Sequence, residues 1–359
     1  MKRILMASVA VIAGATGAMA GGIDRSGQGL GALFEKGRYM ELSFGLVSPS
    51  VDGRDVAAQP TGDVAGTHSQ LGFSYKYDIN DQTSMALIID QPFGADISYA
   101  LTSPVLGGTL AKAETWGVSG ILRYKFNETF SVHGGLKMHY AEGKIRLQGA
   151  AYGPLSGYSV NLAGDWAPGY LIGVAFEKPE IALRVALTYN SAITHKFDTT
   201  QTLAPTVTVT EVDTPQSVNL DFQTGVAKDT LVFGSIRWAD WSNFKIDPPG
   251  FPGDGLVDLE DTVTYTLGIG RRFNETWAGS VSLSYEPKGT DPLVSPLAPT
   301  DGRFGATVGA SYTKDNMKVS AGVNYTWLGD AQPQTSGTAR ASMTDNTAIG
   351  IGVKVGWSF

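Results

Sequence analysis

The chain has 359 residues, a net charge of -7, 45 glycines, no cysteine, 17% charged and 10% aromatic residues. An acidic balance excludes the basic footprint of a nucleic-acid binder, and the missing cysteine excludes a disulfide-held secreted domain. After residue 20 no apolar run reaches the roughly 18 residues of a spanning helix, so the chain is either a soluble exported protein or one that crosses a membrane as strands.

Lys2 and Arg3, the apolar run Ile4 to Ala15 and the small-residue site Ala18-Met19-Ala20 predict a secretory signal over residues 1–20. Its removal leaves Gly21 first. From residue 37 to 359 apolar residues alternate with small or polar ones, as on a strand with two different faces. The predicted strands are 37–48, 67–79, 83–99, 112–126, 129–146, 158–177, 180–198, 215–227, 230–242, 259–272, 275–286, 301–313, 316–328 and 344–359. In one of them Phe304, Ala306, Val308, Ala310 and Tyr312 share a face, opposite Arg303, Gly305, Thr307, Gly309 and Ser311. The last strand sets Ile349, Ile351, Val353, Val355, Trp357 and Phe359 against Gly350, Gly352, Lys354, Gly356 and Ser358.

Short polar turns, such as Asn127-Glu128 and Asn274-Glu275, alternate with long connections at 49–66, 101–111, 148–157, 199–214, 243–258, 287–300 and 329–344. Short periplasmic turns and long outer loops characterise outer-membrane barrels, as do aromatics at strand ends. The polar face is mainly Gly, Ser and Thr, which suits an enclosed lumen better than bulk solvent. These features predict an all-β protein, a transmembrane antiparallel up-and-down β-barrel of about 14 strands. It belongs in the outer membrane of a Gram-negative bacterium.

Several stretches resemble the FadL-type (OmpP1/FadL/TodX) outer-membrane transporters of long-chain fatty acids and other hydrophobic compounds. Ser26-Gly27-Gln28-Gly29-Leu30-Gly31 is similar to the start of that family's N-terminal plug. Trp238-Ala-Asp-Trp-Ser-Asn-Phe244 resembles its Trp-Ser-x-Phe. Tyr285-Glu286-Pro287, followed by Leu297 to Arg303, resembles its Pro-rich loop, and Phe93-Gly94 its kinked strand. The resemblance implies a plug over residues 21–36, which is short and lacks the family's Asn-Pro-Ala segment, so inward side chains would help fill the lumen. It also implies that ligand enters at the outer loops, binds inside and leaves sideways through a gap in the wall.

A gap needs a broken ladder. Proline cannot donate to one and glycine permits a bulge, so Pro92, Phe93 and Gly94 are the candidate lateral gate. The alternative is a strand that ends at Pro92. Candidate ligand-binding residues are Arg303 and Glu286, Trp241, Phe244 and Phe251 of the outer end, and Ile23 and Leu30 of the plug. Arg303 offers a charge-assisted partner for a carboxylate, or else belongs to an internal salt-bridge network. The expected partners are outer-membrane lipids, a hydrophobic small molecule, and barrel-assembly machinery acting on the strand ending at Phe359; the chain is expected to be a monomer, without nucleic acid, metal or cofactor. A general diffusion porin for small polar solutes is the rival reading. Catalysis is not expected: His68 and Ser69 point to opposite faces, and the sequence offers His133 and His139 no adjacent acid.

Overall fold

The structure is a computed structural model and describes residues 23–253 and 255–359. The predicted signal, 1–20, and the first two residues of the predicted plug lie outside the described residues. Seventeen strand segments form one sheet; three strands are interrupted once, so the wall has fourteen strands. They are β1 (Tyr39–Ser50), β2 (His68–Asp78), β3 (Thr83–Asp90 and Gly94–Ser98), β4 (Leu110–Lys125), β5 (Phe130–Arg146), β6 (Ser159–Lys178) and β7 (Leu183–Asn190 and Ile193–Gln201). The second half comprises β8 (Ala204–Thr214 and Ser217–Ala227), β9 (Thr230–Ala239), β10 (Thr262–Arg272), β11 (Trp277–Glu286), β12 (Arg303–Lys314), β13 (Met317–Leu328) and β14 (Thr347–Ser358). Neighbours are antiparallel, and β1 pairs with β14 from Tyr39–Ser358 to Ser50–Thr347, so the sheet closes on itself and has no edge.

Burial is inverted relative to a soluble protein. Leu136 is 77% exposed on the outer surface, while Lys76 is 2% exposed and points inward. Outward Leu122, Ile172, Leu267, Val308 and Val323 are likewise exposed, and Arg123, Lys137 and His195 are buried in the lumen. Only lipid outside the wall makes that distribution favourable. The short turns are closed by asparagine: Asn127 Oδ1 accepts from the backbone N–H of Thr129 and Phe130, and Asn274 Oδ1 from those of Thr276 and Trp277.

Five expectations need correction. Residues 199–214 are not a long loop: Ile193–Gln201 and Ala204–Thr214 form a hairpin, from Ile193–Thr214 to Gln201–Ala204. Thr206 to Thr210 alternate Thr and Val, which are β-branched and suit strands; Pro205 and Pro215 disguised them. β7 is not one strand over 180–198, because it begins at Leu183 and breaks at Ser191-Ala192. β9 stops at Ala239, short of 242, where Trp241–Asn243 turn as a 3-10 helix. β10 begins at Thr262 and β14 at Thr347, each three residues late.

Candidate functional site

The N-terminal segment runs inside the barrel from the short-turn end to mid-height. Phe34 is clamped between the guanidinium groups of Arg123 and Arg184, each 4.6 Å from its ring centroid, with His133 edge-on. Leu30 and Leu33 pack on Ala86, Ile88, Ile121 and Leu171. Higher up, Asn219 Nδ2 donates to the Gly27 carbonyl (2.8 Å) and Asp24 accepts from Arg237 Nε (2.6 Å). The Phe34 clamp has a direct test. Replacing Phe34 with alanine removes two cation–π contacts of about 0.5–2 kcal/mol each and should increase protease cleavage of the segment several-fold in the folded barrel.

Glu35 carries the segment's own pH dependence. Burial in the lumen raises its carboxyl above the usual range, against the pull of Lys318 and Arg184. A docked group with a raised pKa holds its proton more tightly than the released one. Docking is therefore expected to loosen as pH rises from the ordinary carboxylate range through the raised value. Protease sensitivity measured between pH 4 and pH 8 checks this, and a fall with pH would contradict it.

The top of the segment meets the break in β3. Gln91 to Phe93 leave the ladder, and β3 resumes as Gly94–Ser98 against β4. The second piece pairs with residues 64–66 ahead of β2, through Gly66 N–H to the Asp96 carbonyl and Ser98 N–H to the Val64 carbonyl (each 2.8 Å), and not with β2 itself, so a gap opens between β2 and β3 below them. Gln91 Oε1 reaches across to the Leu71 N–H (2.8 Å), and Thr115 Oγ1 accepts from the Phe93 N–H (3.0 Å). The N-terminal segment covers the gap from inside: Gly94 N–H donates to the Ile23 carbonyl (2.9 Å) and Arg25 N–H to the Pro92 carbonyl (2.8 Å). Gly94 has no side chain, and the Arg25 guanidinium occupies the place where one would project. Pro92, Phe93 and Gly94 thus sit at one gap.

Two cavities adjoin this junction. The upper one, 80 Å³, is apolar and lined by Ile23, Phe93, Trp241, Phe244, Phe197 and Val212, among others. Phe93 and Trp241 meet edge to face at 5.3 Å, as do Trp241 and Phe244 at 5.5 Å. Outer-loop residues such as Ile246, Leu259 and Leu297 roof it. The lower cavity, 340 Å³, has mixed polarity and includes Leu30, Arg303, Gln70 and the lipid-facing Leu71 beside the β3 gap.

The predicted residues therefore divide. Ile23, Phe93, Trp241 and Phe244 come together on the upper cavity. Arg303 and Leu30 belong to the lower one, where Arg303 pairs with Glu286 at 3.1 Å and Glu286 accepts from Thr264 Oγ1 at 2.7 Å. Phe251 packs against Tyr158 at 4.9 Å and backs the core. Sequence reasoning missed His139 and His195. His139 Nδ1 lies 2.8 Å from His195 Nε2, and His195 Nδ1 lies 2.9 Å from the Asp165 carboxylate, so an acid does orient the pair. Asp165 stands on β6 and His195 on β7, a partnership with no local sequence signal.

A family model described as outer membrane protein transport protein (OMPP1/FadL/TodX) matches residues 36–359. The fold is similar to that of a Pseudomonas aeruginosa FadL homologue, with a TM-score of 0.72, 15% identity and 91% of each chain covered. It is similar to the Ralstonia pickettii toluene transporter TbuX, with a TM-score of 0.63, 14% identity and 91% of each chain. It is also similar to the Pseudomonas putida toluene transporter TodX, with a TM-score of 0.64, 12% identity, 96% of this chain and 98% of that one. No curated protein sequence matches the chain.

Proposed function

The chain belongs to the OMPP1/FadL/TodX family of outer membrane transport proteins, and on that footing we propose how it carries hydrophobic compounds inward. Ligand descends between the outer loops into the upper cavity, and leaves sideways through the β3 gap when Ile23 to Ser26 withdraw from Pro92 to Gly94. The observation that carries this reading is the N-terminal backbone seated in a broken strand beside an apolar cavity. A hydrophobic molecule gains about 25 cal/mol per Å² on leaving water, so it needs an apolar cavity and a dry exit into lipid. A water-filled pore offers neither. Trp241, Phe244 and Phe93 are the aromatic anchors, with Ile23 as a movable wall. The Trp241 indole N–H is buried without a partner, so a ligand bearing one acceptor atom satisfies it.

Arg303 and Glu286 hold each other in the lower lumen; in this reading they take the polar end of a ligand such as a fatty-acid carboxylate only after it leaves the upper cavity. The signal over residues 1–20 directs export, and the assembly machinery takes hold of β14. The working unit is one barrel.

Bilayer conductance and ligand capture test the reading together. The intact protein should give almost no steady current, because the N-terminal segment and the loop cluster fill the lumen. Replacing Trp241 with alanine should weaken capture of a hydrophobic probe by about ten-fold, the equivalent of roughly 1.4 kcal/mol. Large steady currents together with unchanged capture would leave the diffusion porin as the better description.

A further inference from the structure

A second break in the wall lies between β6 and β7. Their pairing runs from Lys178–Leu183 to Leu171–Asn190, stops, and resumes only at Leu162–Thr199. Residues 163–169 and 192–198 face each other with no ladder between them. The cause is a conflict of phase. On β7 the break at Ser191-Ala192 moves the inward set from Thr188 and Asn190 to Ile193, His195 and Phe197. On β6 a bulge near Ala163-Gly164 shifts the register against β5 between Ala141 and Gly143. Between the two bulges the faces of the strands are out of step by one residue, and a one-residue slip forbids normal pairing. Pro168 in the middle of the stretch has no N–H to offer.

Apart from the Ser191 N–H to Tyr170 carbonyl bond (2.9 Å) at its inner edge, side chains span this gap among the described residues. Asp165 accepts from the Lys196 N–H (3.3 Å) and contacts His195, while Ser191 Oγ accepts from the Tyr170 N–H (3.0 Å). Ile193 lies over Gly169. The Asp165 side chain is 28% exposed, whereas His195 is fully buried and lines the upper cavity. The His195–Asp165 hydrogen bond thus joins a part-exposed carboxylate to the lining of the apolar cavity. Trp166 and Tyr170, both exposed, flank the gap with Tyr140 and Tyr189 at their rings. From Lys178 to Gly169, at ~3.3 Å per residue and ~40° tilt, is roughly 23 Å, so the gap begins at the outer edge of a ~25 Å apolar band and Asp165, about 10 Å further out, stands at headgroup level.

We propose that the β6–β7 gap is a second lateral doorway, through which hydrophobic molecules dissolved in the outer leaflet reach the upper cavity without passing the outer loops. It rests on the reading of that cavity as the ligand site. Unpaired backbone at the edge of the apolar band is costly, and a wall that had only to seal would be paired here. The β3 gap is covered by a stretch of backbone and adjoins both cavities; this one is latched by side chains beyond Tyr170 and Ser191 and adjoins the upper cavity alone. The two openings therefore stand at opposite ends of one path, leaflet to pocket and pocket to exit.

The absence of natural cysteines makes a clean test. A Cβ built on Gly169 falls 2.6 Å from Ile193 Cγ1, the place a cysteine sulfur takes at 193; in a disulfide the corresponding separation is about 3 Å. Gly169→Cys with Ile193→Cys should therefore staple the gap on oxidation. The protein is placed in phospholipid vesicles with N-phenyl-1-naphthylamine, supplied either in the bilayer or from water. Capture is read as energy transfer from Trp241, with Trp241→Phe in the same pair as background. Oxidation should slow capture from the bilayer at least ten-fold, leave capture from water within two-fold, and be reversed by reductant. Equal rates in both redox states, or equal slowing of both routes, would overturn the doorway while leaving the transporter reading intact. Failure of the wild type to capture the probe by either route would remove the pocket reading and the doorway with it. Asp165→Ala gives a second test free of the staple: unlatching should speed capture from the bilayer at least three-fold, and an unchanged rate counts against the proposal.

Discussion

Replacing Gly94 with tryptophan is expected to lower uptake of a hydrophobic compound by ten-fold or more while the barrel stays folded. The reason is local. A side chain at residue 94 projects into the place now held by the Arg25 guanidinium, at the inner mouth of the β3 gap. The ladder from Gly94 to Ser98 on β4 is unaffected by what projects there, and Thr83 to Asp90 stay paired with both neighbours. Arg25 is flexible and can move aside, so the cost to stability is small; the cost to passage is large, because a bulky ring occupies the only width the gap has. Heat-modifiable migration of the variant reports the intact barrel, and uptake by whole cells reports the gate. Wild-type uptake in a folded variant would remove the lateral exit at β3.

The second large effect is expected at Arg237. Its Nε bonds Asp24 at 2.6 Å, and its Nη1 bonds Asn219 Oδ1 at 2.7 Å and Ser217 Oγ at 3.0 Å. Gln28 Oε1, 2.9 Å from Ser217 Oγ, lies at the edge of the same cluster. Arg237→Met leaves the Asp24 carboxylate enclosed and unpaired. Removing one partner of a buried pair costs about 3–5 kcal/mol, which shifts the balance between docked and released segment by roughly two to three and a half orders of magnitude. Frequent open-channel events should appear in planar bilayers where the parent protein is quiet. Asp24→Asn should do less, because Arg237 keeps Asn219 and Ser217. Quiet bilayers with Arg237→Met would mean that the loop cluster alone seals the lumen.

Both predictions join parts of the chain that the sequence does not join. Asp24 and Arg237 are 213 residues apart, and Gly94 meets Ile23 and Arg25 only because the N-terminal segment turns back into the lumen. The Phe34 clamp draws one arginine from β4 and one from β7. Sequence did mark Pro92 to Gly94 as unusual, since a proline inside an alternating strand has few explanations. It could not say that residues 23–26 would fill the resulting gap. The pairing of Arg303 with Glu286 was legible as a possibility through their shared inward parity, and closure of β11 on β12 put them face to face.

What the sequence determined by itself is the wall. A period of two is a local property: Ile349, Ile351 and Val353 face lipid because each is two residues from the next, whatever the rest of the chain does. Strand number, the side each turn lies on and the membrane followed from that repeat. What only the tertiary structure decided is the lumen and its openings. The hairpin through residues 199–214 was hidden by Pro205 within it and Pro215 just after it. The Asp165, His195 and His139 contacts arise across three strands. Closing the sheet fixes which inward residues meet, and where two bulges fall out of step the wall cannot pair; both depend on register between distant strands, which no local pattern carries.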